Sequence, residues 1–522
     1  MAFRLTYSNM FDPPPELHGR FEAALEGVRS RLGQSFCHHI DGRDAPGGDH
    51  LEKRSPIDTG LLLGRFPMGT RQEAQAALAA ARAAQPAWRA LPAADRISVL
   101  RRAAAIIEER VYDIAAAVAL EVGKNRMEAL GEVQETADFF NIYCELFERE
   151  GRFDRPLPDD PLPGFRSRNR SVMKPYGVWV VITPFNFPFA LAGGPVAAAL
   201  VTGNTVVLKG ASDTPWAGRL LADCLHDAGT PPGVFNYVTG AGDVVGEALL
   251  DSPSTAGVTF TGSHEVGMGI VRRFATGPYP RPCIVEMGGK NAVIVTRGAD
   301  LERAALGIMR SAFGMGGQKC SALSRIYVEE PAADGLIERL VALTESIRIG
   351  DPTRREIWLG PVINARAKSD FQRRIAELVG GGATLFCGGR VLTEGKFNRG
   401  YYCMPTLAET PLSHPHWRAE LFLPIVLLAR VPDRETAMRL ANDSELGLTA
   451  GFYGAPDEID WFLDNIEAGV TYVNRPQGAT TGAWPGYQPF GGWKGSGSTG
   501  KAIASFYYLA QYMREQSQTI VD

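Results

Sequence analysis

Cys320 lies in a segment whose composition suits a reactive thiol. Residues 316–319, GGQK, precede it, and the small residues Ser321 and Ala322 follow it. A thiol becomes a nucleophile as the thiolate, which a polar, partly exposed segment with a lysine beside it favours and an apolar core suppresses. Most free cysteines are simply buried, but this segment predicts that Cys320 is a reachable nucleophile and that Lys319 promotes its ionisation.

Two further polar residues stand where apolar runs end. Glu286 lies in residues 283–295, CIVEMGGKNAVIV, between a strand-like run and a Gly-Gly turn, where a general base could stand at the edge of a sheet. Asn186 lies in residues 178–194, VWVVITPFNFPFALAGG, where an apolar strand breaks at a Thr-Pro pair. A side-chain amide there can donate to a developing oxyanion. Cysteine, carboxylate and amide together favour acyl-level chemistry at a carbonyl group.

Six ordered motifs carry a resemblance to the aldehyde dehydrogenase superfamily, from about residue 50 to the C-terminus. They are PFNFP around Asn186, LKGASDTP around Lys209, FTGSHEVG around Gly262, EMGGKN around Glu286, GQKCSA around Cys320 and QPFGGWKGSG near the end. The resemblance implies that Cys320 is the nucleophile and Glu286 the base that activates water. It also implies that Asn186 and the Cys320 backbone N–H form the oxyanion hole.

The elements that must position these residues follow an α/β pattern. Helical periodicity covers residues 70–84, 92–109, 111–122 and 125–148, and strands then alternate with helices from residue 178 onwards. This alternation predicts a doubly wound parallel sheet, and a second alternating set beginning at Cys283 predicts a second such domain. The predicted parts are an N-terminal extension on the outside (1–50), an NAD-binding domain (51–150 and 173–282), a small β oligomerisation arm (151–172 and 476–522) and a catalytic domain (283–475).

Length and composition restrict the class of protein. A chain of 522 residues exceeds what one core usually organises, and its 45% hydrophobic and 21% charged residues are ordinary for a globular protein. A formal net charge of −4 without a long basic run argues against nucleic acid as a partner. The charged, proline-containing start and the lack of a run of ~20 apolar residues predict a cytoplasmic protein without membrane contact. Seven dispersed cysteines without a CxxC pair predict neither disulfides nor a metal site.

The predicted cofactor site lies where strands end. In FTGSHEVG a strand ends at Thr261, Gly262 allows close backbone approach, and Ser263 caps a helix whose N-terminus could face a pyrophosphate. Lys209 ends another strand, and the resemblance implies that it holds the adenosine ribose. Glu420 is implied to hold the nicotinamide ribose. The predicted cofactor-binding residues are Ile182, Thr183, Pro184, Phe185, Lys209, Ser212, Gly242, Thr261, Gly262, Ser263, Val266, Glu420 and Phe422.

Two departures from the family pattern bear on the cofactor. Ser212 stands where strongly NAD-selective members carry a glutamate, and a neutral side chain there does not repel a 2′-phosphate. NADP is therefore an alternative, and NAD remains the expected cofactor. Leu423 replaces the glycine that the resemblance leads us to expect in the loop of Glu420.

Within the superfamily, the chain most resembles the Δ1-pyrroline-5-carboxylate dehydrogenases, whose substrate is L-glutamate γ-semialdehyde. The residues implied to bind substrate are Glu135, Phe187, Lys319, Ser321, Gly482, Ala483 and Phe490. Backbone N–H groups of Gly482 and Ala483 and the Ser321 hydroxyl would hold the carboxylate, and Glu135 would hold the ammonium. Glu135 also shares a helix face with two other glutamates in residues 125–148, and such a charged stripe is often merely solvated.

Several alternatives stay open at the level of sequence. The nearest is a general aldehyde dehydrogenase for another aliphatic or aromatic aldehyde. A CoA-acylating member would tend to lack a base at Glu286, a cysteine hydrolase would need a paired histidine, and a catalytically silent relative should have lost one of the three site residues. The resemblance also implies a homo-oligomer, a dimer or larger, in which the arm adds strands across subunits.

Overall fold

The computed structural model describes residues 5–161, 163–478 and 484–521. Its helices are α1 (Pro15–Arg29), α2 (Arg71–Ala90), α3 (Ala93–Glu109), α4 (Val111–Val122), α5 (Arg126–Arg149), α6 (Ala190–Val201), α7 (Pro215–Asp227), α8 (Glu247–Asp251), α9 (His264–Ala275), α10 (Leu301–Phe313), α11 (Glu330–Glu345), α12 (Ala365–Gly380), α13 (Arg434–Asn442) and α14 (Ile459–Asn465). None of these helices is long and apolar enough to cross a membrane.

The strands up to the middle of the chain are β1 (Gln34–Ser35), β2 (His38–Ile40), β3 (Arg43–Ala45), β4 (His50–Arg54), β5 (Leu62–Pro67), β6 (Asp154–Leu157), β7 (Ser167–Pro175), β8 (Val178–Ile182), β9 (Thr205–Lys209), β10 (Phe235–Val238), β11 (Thr255–Gly262), β12 (Cys283–Met287) and β13 (Asn291–Val295). The remaining strands are β14 (Leu323–Glu329), β15 (Thr384–Cys387), β16 (Val391–Leu392), β17 (Tyr402–Cys403), β18 (Thr406–Glu409), β19 (Ile425–Val431), β20 (Leu446–Gly447), β21 (Thr449–Tyr453), β22 (Val470–Val473), β23 (Trp493–Lys494) and β24 (Met513–Val521).

The first large sheet has seven strands in the order β12-β11-β8-β9-β10-β2-β3. Pairing is parallel from β12 to β10, and β2 and β3 extend the sheet in antiparallel pairing. The chain runs from β8 outward through β9 to β10, and then returns to the other side of β8 for β11 and β12. The strand order therefore reverses between β8 and β11, and such a reversal opens a crevice at the carboxyl ends of the strands.

The second large sheet also has seven strands, in the order β15-β18-β19-β14-β13-β21-β22, and all but β15 pair in parallel. Strand β13, NAVIV, is buried along its whole length, as expected for a strand covered by helices on both faces. Together the two sheets and their helices confirm the predicted fold class of two doubly wound α/β units.

The boundaries predicted for these units need two corrections. Residues 1–50 are not an outer extension, because β2 and β3 lie in the first sheet and β1 pairs with β5. The second unit does not begin at Cys283, because β12 pairs with β11 and completes the first sheet. The apolar pattern of a strand is the same in either sheet. The strand with which it pairs is decided by packing between residues far apart in the sequence, so local sequence does not predict it.

The small arm is a separate three-stranded antiparallel sheet in the order β24-β7-β6. Strand β24 pairs with β7 from Met513 opposite Pro175 to Val521 opposite Ser167. The prediction that residues 476–522 belong to this arm is wrong for its first part. Trp484 and Phe490 line a cavity instead, β23 pairs with β20, and the strand that joins the arm begins only at Met513.

The helices before the first sheet are close to those predicted. Helix α2 begins after Thr70, whose hydroxyl accepts a hydrogen bond from the Gln72 N–H while Glu73 accepts one from the Thr70 N–H. This capping box explains the start of the helix. The helix continues past Pro86 to Ala90, beyond the predicted end at residue 84, because packing of its apolar face against the first sheet outweighs the missing backbone donor.

Candidate active site

Cys320 is placed by a tight turn between α10 and β14. Met315, Gly316 and Gly317 all have positive φ, and a Cβ on Gly317 would lie 2.3 Å from the Leu423 carbonyl oxygen, so the turn requires glycine there. The Asn291 amide donates to the carbonyl oxygens of Cys320, at 2.7 Å, and Ala322, at 2.8 Å. The segment is thereby fixed, with Cys320 partly exposed in the wall of a cavity.

The surroundings of Cys320 hold its thiol in the protonated form. Burial and the nearby carboxylates of Glu420 and Glu286 raise its pKa to about 12, against the opposing effect of the Ser321 and Cys320 backbone N–H groups. The prediction that Lys319 promotes ionisation is wrong. Its ammonium lies 2.5 Å from Glu128 Oε1 in a buried ion pair, and burial, Glu420 and Glu286 dominate the pKa of the thiol. Lys319, predicted to bind substrate, is not among the described residues that line the cavity. Attack by the sulfur therefore requires a base that removes the proton.

Glu286 is the carboxylate that could take the proton from Cys320, and it lies close enough to act on the pKa of the thiol. It lies near the end of β12, where it pairs with Thr261 of β11. Burial raises the pKa of Glu286 to about 8, although one of its oxygens accepts a hydrogen bond of 3.0 Å from the Gly492 N–H. A carboxyl group with such a pKa gains and loses a proton near neutral pH, as a general base must.

Asn186 lies beside the cysteine segment. Its side chain is buried, and its Nδ2 donates to the Gln318 carbonyl oxygen at 3.0 Å. Gln318 is itself fixed, because its side-chain oxygen accepts a hydrogen bond from the Ile363 N–H at 2.9 Å. An amide nitrogen carries two hydrogens, so the second one can be donated to an oxyanion on the substrate.

A cavity beside Cys320 contains most of the predicted substrate residues. Its lining residues are Tyr7, Glu135, Phe139, Phe187, Ala190, Leu191, Cys320, Ser321, Trp484, Pro485, Gln488, Phe490, Ile503 and Ala504. Glu135, Phe187, Ser321 and Phe490 are thus brought together as the sequence suggested. Gly482 and Ala483, predicted to bind the carboxylate, lie outside the described residues.

Some lining residues were not predicted from the sequence. Phe139 stands four residues after Glu135 in α5, so helical spacing would have placed it on the same face. Tyr7 had no such signal, because it comes from an irregular segment at the start of the chain. Its hydroxyl donates to Glu135 Oε2 at 2.7 Å.

The acidic stripe of α5 is buried and not solvated. Glu128 pairs with Lys319, and Glu132 pairs with Lys124 at 2.6 Å while accepting backbone N–H groups from Phe189 and Ala190. Glu135 makes no ion pair with any residue that the structure describes. Burial raises the pKa of Glu135 to about 8, partly offset by the hydrogen bond from Tyr7.

The crevice between the two halves of the first sheet holds the predicted cofactor residues. Ile182, Lys209 and Gly262 end the adjacent strands β8, β9 and β11, so the residues that follow them also meet at this edge. The Lys209 ammonium is buried and donates to the Gly210 carbonyl at 3.0 Å, with no carboxylate at ion-pair distance among the described residues, and burial lowers its pKa to about 8. A buried ammonium without a carboxylate partner suits the hydroxyl groups of a ribose.

Three further predicted cofactor residues, Ser212, Gly242 and Ser263, have local structure that bears on where the cofactor pyrophosphate and ribose would bind. Ser263 caps α9, because its hydroxyl accepts the Val266 N–H at 3.4 Å, and the first turn of that helix faces the crevice side of β11. A Cβ built on Gly242 would meet nothing within 4 Å. Ser212 donates to the Gly240 carbonyl at 3.3 Å. The backbone N–H groups at the start of α9 and the open space at Gly242 fit a dinucleotide, the group that the sequence predicted.

Glu420 joins the crevice to the cysteine. Its carboxylate accepts the Gly289 N–H at 2.9 Å, and a Cβ on Gly288 would come within 2.1 Å of it, so only glycine permits this approach. Phe422 has a φ of 56°, and its ring meets that of Phe185 edge-on at 5.8 Å between centroids. The site therefore places Glu420 next to both the Gly-Gly turn after Glu286 and the thiol of Cys320.

Comparison with known proteins agrees with this geometry. The aldehyde dehydrogenase family matches residues 43–517 of the chain. The curated 1-pyrroline-5-carboxylate dehydrogenase of Geobacillus thermodenitrificans is 36% identical over 508 residues, which cover 96% of this chain and 95% of that protein.

Solved structures give the same grouping. A crystal structure of 1-pyrroline-5-carboxylate dehydrogenase from Thermus with bound NAD superposes with a TM-score of 0.93 at 33% identity, covering 100% of this chain and 99% of that one. Lactaldehyde dehydrogenase from Escherichia coli follows with a TM-score of 0.86 at 32% identity, covering 94% of this chain and 100% of that one.

Proposed function

The chain belongs to the aldehyde dehydrogenase family, and on that premise we propose that it oxidises L-glutamate γ-semialdehyde to L-glutamate with NAD, a step of proline catabolism. The observation that carries this substrate is Glu135. Of the three glutamates on its face of α5, Glu128 and Glu132 each bind a buried lysine, whereas Glu135 lines the cavity and, among the described residues, accepts a hydrogen bond only from the Tyr7 hydroxyl. A buried carboxyl group with a raised pKa is ionised at neutral pH only beside a cation, and the α-ammonium of the substrate would supply that cation.

The rest of the cavity suits the same substrate. The rings of Phe187 and Phe490 line it on the way to Cys320 and would flank the short aliphatic chain. The Ser321 hydroxyl lies in the wall next to the cysteine and would donate to the substrate carboxylate, together with the predicted backbone donors Gly482 and Ala483. Opposite charges at fixed separation would then distinguish this amino acid from a simple aldehyde.

The first half of the reaction is carried by Cys320. Its sulfur attacks the aldehyde carbon while its proton passes to Glu286, and a thiohemiacetal forms. Asn186 and the Cys320 backbone N–H donate to the resulting oxyanion. Lys209 and Glu420 would hold the two riboses of NAD, which would supply the acceptor for the hydride that leaves the former aldehyde carbon. The oxyanion collapses and leaves a thioester on Cys320.

The second half depends on Glu286. After Glu286 has released the proton of Cys320 to solvent, its carboxylate takes a proton from water and the hydroxide attacks the thioester carbonyl. The Cys320 thiolate then leaves and regains a proton from Glu286 as L-glutamate is released. Water, and not a second thiol, is the acceptor, because a base that titrates near neutral pH stands beside the cysteine. Acid should therefore form without added CoA.

Kinetics with two matched aldehydes test the substrate. Glutarate semialdehyde has the same chain and carboxylate as L-glutamate γ-semialdehyde and lacks only the ammonium. The proposal expects a higher kcat/KM for L-glutamate γ-semialdehyde than for glutarate semialdehyde. This preference should be lost in Glu135→Gln. If simple aliphatic or aromatic aldehydes exceed L-glutamate γ-semialdehyde in kcat/KM, the chain is a general aldehyde dehydrogenase and the proposal fails.

Ser212 bears on whether NADP is accepted besides NAD. Its hydroxyl donates to the Gly240 carbonyl, and no carboxylate stands at that position to repel a 2′-phosphate. NAD is the cofactor of the proposed reaction, and NADP is accepted less well. Initial rates with each dinucleotide, and with Ser212→Glu, test this: the variant should lose its NADP activity and keep its NAD activity.

A further inference from the structure

The segment at the start of the described chain forms part of the cavity wall. Tyr7 is only 4% exposed, and its ring meets Trp484 edge-on at 5.1 Å and Phe187 at 6.3 Å between centroids. A Cβ on Gly131 of α5 would lie 2.6 Å from the Tyr7 ring, so the absence of a side chain there creates the slot that the ring fills. The ring is thus packed on three sides beside the cavity.

The position of the Tyr7 hydroxyl follows from this packing. It donates to Glu135 Oε2 at 2.7 Å, across 128 positions of sequence. Trp484, the neighbour of Tyr7 in the wall, donates its indole N–H to Asp138 at 2.7 Å, one helical turn beyond Glu135. Both aromatic side chains therefore connect the wall to α5 through acidic residues, and only the Tyr7 bond ends on a carboxylate that lines the cavity.

The segment is also fixed to the other side of the site. The Ser8 hydroxyl accepts a hydrogen bond from Arg475 at 2.9 Å, and the Arg310 guanidinium lies 3.7 Å from the centroid of the Phe11 ring. Arg310 belongs to α10, which leads into the cysteine segment. Moving Tyr7 out of the cavity wall would break these contacts as well, so the hydroxyl is held in place before substrate arrives.

We propose that Tyr7 is a positioning residue that selects substrates bearing an ammonium group, because its hydroxyl holds the Glu135 carboxylate in the cavity wall. This inference rests on the proposed function, since it assigns Glu135 to the substrate ammonium. Tyr7 acts through Glu135 and touches no reacting atom. A hydrogen bond to a charged group contributes more than one between neutral groups, so the hydroxyl should matter most when Glu135 is ionised and paired.

Tyr7→Phe tests the hydroxyl, since it keeps the ring in its slot. We expect kcat/KM for L-glutamate γ-semialdehyde to fall roughly tenfold, mainly through KM, as for a lost hydrogen bond to a charged group. The value for glutarate semialdehyde should stay within about twofold, because that substrate has no ammonium. Tyr402→Phe is the matched control: it removes a buried hydroxyl that donates to the Ile57 carbonyl at 3.1 Å, away from the cavity, and should leave the ratio of the two kcat/KM values unchanged.

The ratio of kcat/KM for L-glutamate γ-semialdehyde to that for glutarate semialdehyde depends on pH, and this dependence separates a positioning role of Tyr7 from a merely structural one. Burial raises the pKa of Glu135 to about 8. The hydrogen bond from Tyr7 and the charge of Lys124 act to lower it, whereas the charges of Glu132 and Asp138 act to raise it. Tyr7→Phe removes a lowering contribution, so ionisation of Glu135 moves to higher pH. The rise of the ratio with pH should shift upward in the variant, while titration of Glu286 and Cys320 affects both substrates and cancels.

The double variant Tyr7→Phe/Glu135→Gln completes the test. If Tyr7 acts through Glu135, the double variant should have the same substrate ratio as Glu135→Gln alone. A wild-type ratio and pH profile in Tyr7→Phe, with the ratio lost in Glu135→Gln, would overturn the role of Tyr7 and leave the proposed function standing. A wild-type enzyme that does not prefer the amino aldehyde would overturn both.

Discussion

Glu286 must be ionised to act as a base, and its burial delays that ionisation to a pKa of about 8. Below this pH the carboxyl group is protonated, so the rate constant of thioester hydrolysis should rise on the order of tenfold per pH unit and level off above pH 8. Single-turnover measurements of acid release between pH 6 and 9 would show the rise. Glu286→Gln should be slow at every pH, and a pH profile in the variant equal to that of the wild type would contradict the assignment.

Asn186 should contribute only while negative charge develops on the substrate oxygen. Asn186→Ala is expected to lower kcat by about 10²–10³, the cost of one oxyanion donor. Binding of NAD, followed by quenching of protein fluorescence, should be unchanged, because the side-chain amide donates to the cysteine segment at the Gln318 carbonyl. A variant with full turnover would remove Asn186 from the mechanism.

The chemistry-bearing residues differ in how far the sequence could place them. Cys320, Glu286 and Asn186 stand in local motifs, so they could be named without a fold. The state of the thiol could not, because it depends on its burial and on the nearby carboxylates of Glu420 and Glu286. Local composition therefore predicted an easily ionised thiol, whereas the folded environment raises its pKa.

Helix α5 is the element that sets the polarity of the cavity. It carries two fully buried ion pairs, Lys124–Glu132 and Lys319–Glu128. Lys124→Met should destabilise the protein by about 3–5 kcal/mol, because it leaves Glu132 buried without its cation. Chemical denaturation would measure the loss, and Lys124→Met/Glu132→Gln should recover much of it. A single variant as stable as the wild type would show that backbone donors alone satisfy Glu132.

Most elements could be predicted because their apolar patterns are strong. Helix α4 matches its predicted bounds, 111–122, and strand β8 begins at residue 178 as predicted, because a strong apolar run marks each of them. The wall of the cavity could not be predicted. Tyr7 and Glu135 are joined by folding across 128 positions, and the irregular segment around Tyr7 carries no periodic signal.

The small β arm carries unpaired strand edges and exposed apolar side chains that a monomer would leave in contact with solvent. The arm is a three-stranded sheet whose outer strands β24 and β6 have unpaired edges within the described chain, and Leu157, Ile520 and Val521 are exposed on it. Exposed edges and apolar side chains favour pairing with another chain. We predict a homo-oligomer by light scattering, and a smaller mass for Ile520→Lys/Val521→Lys. A wild-type monomer would contradict this prediction.

The central claim is that Cys320 carries the acyl group and Glu286 releases it. The most direct measurement is acid quenching of Glu286→Gln after incubation with L-glutamate γ-semialdehyde and NAD, followed by peptide mass spectrometry of all seven cysteines. The account predicts that NADH formation is slowed, because the base that takes the Cys320 proton is lost, that it stops at one equivalent, and that a thioester is found on Cys320 alone. An unmodified Cys320 once NADH formation has stopped, or an acyl group on another cysteine, would contradict it.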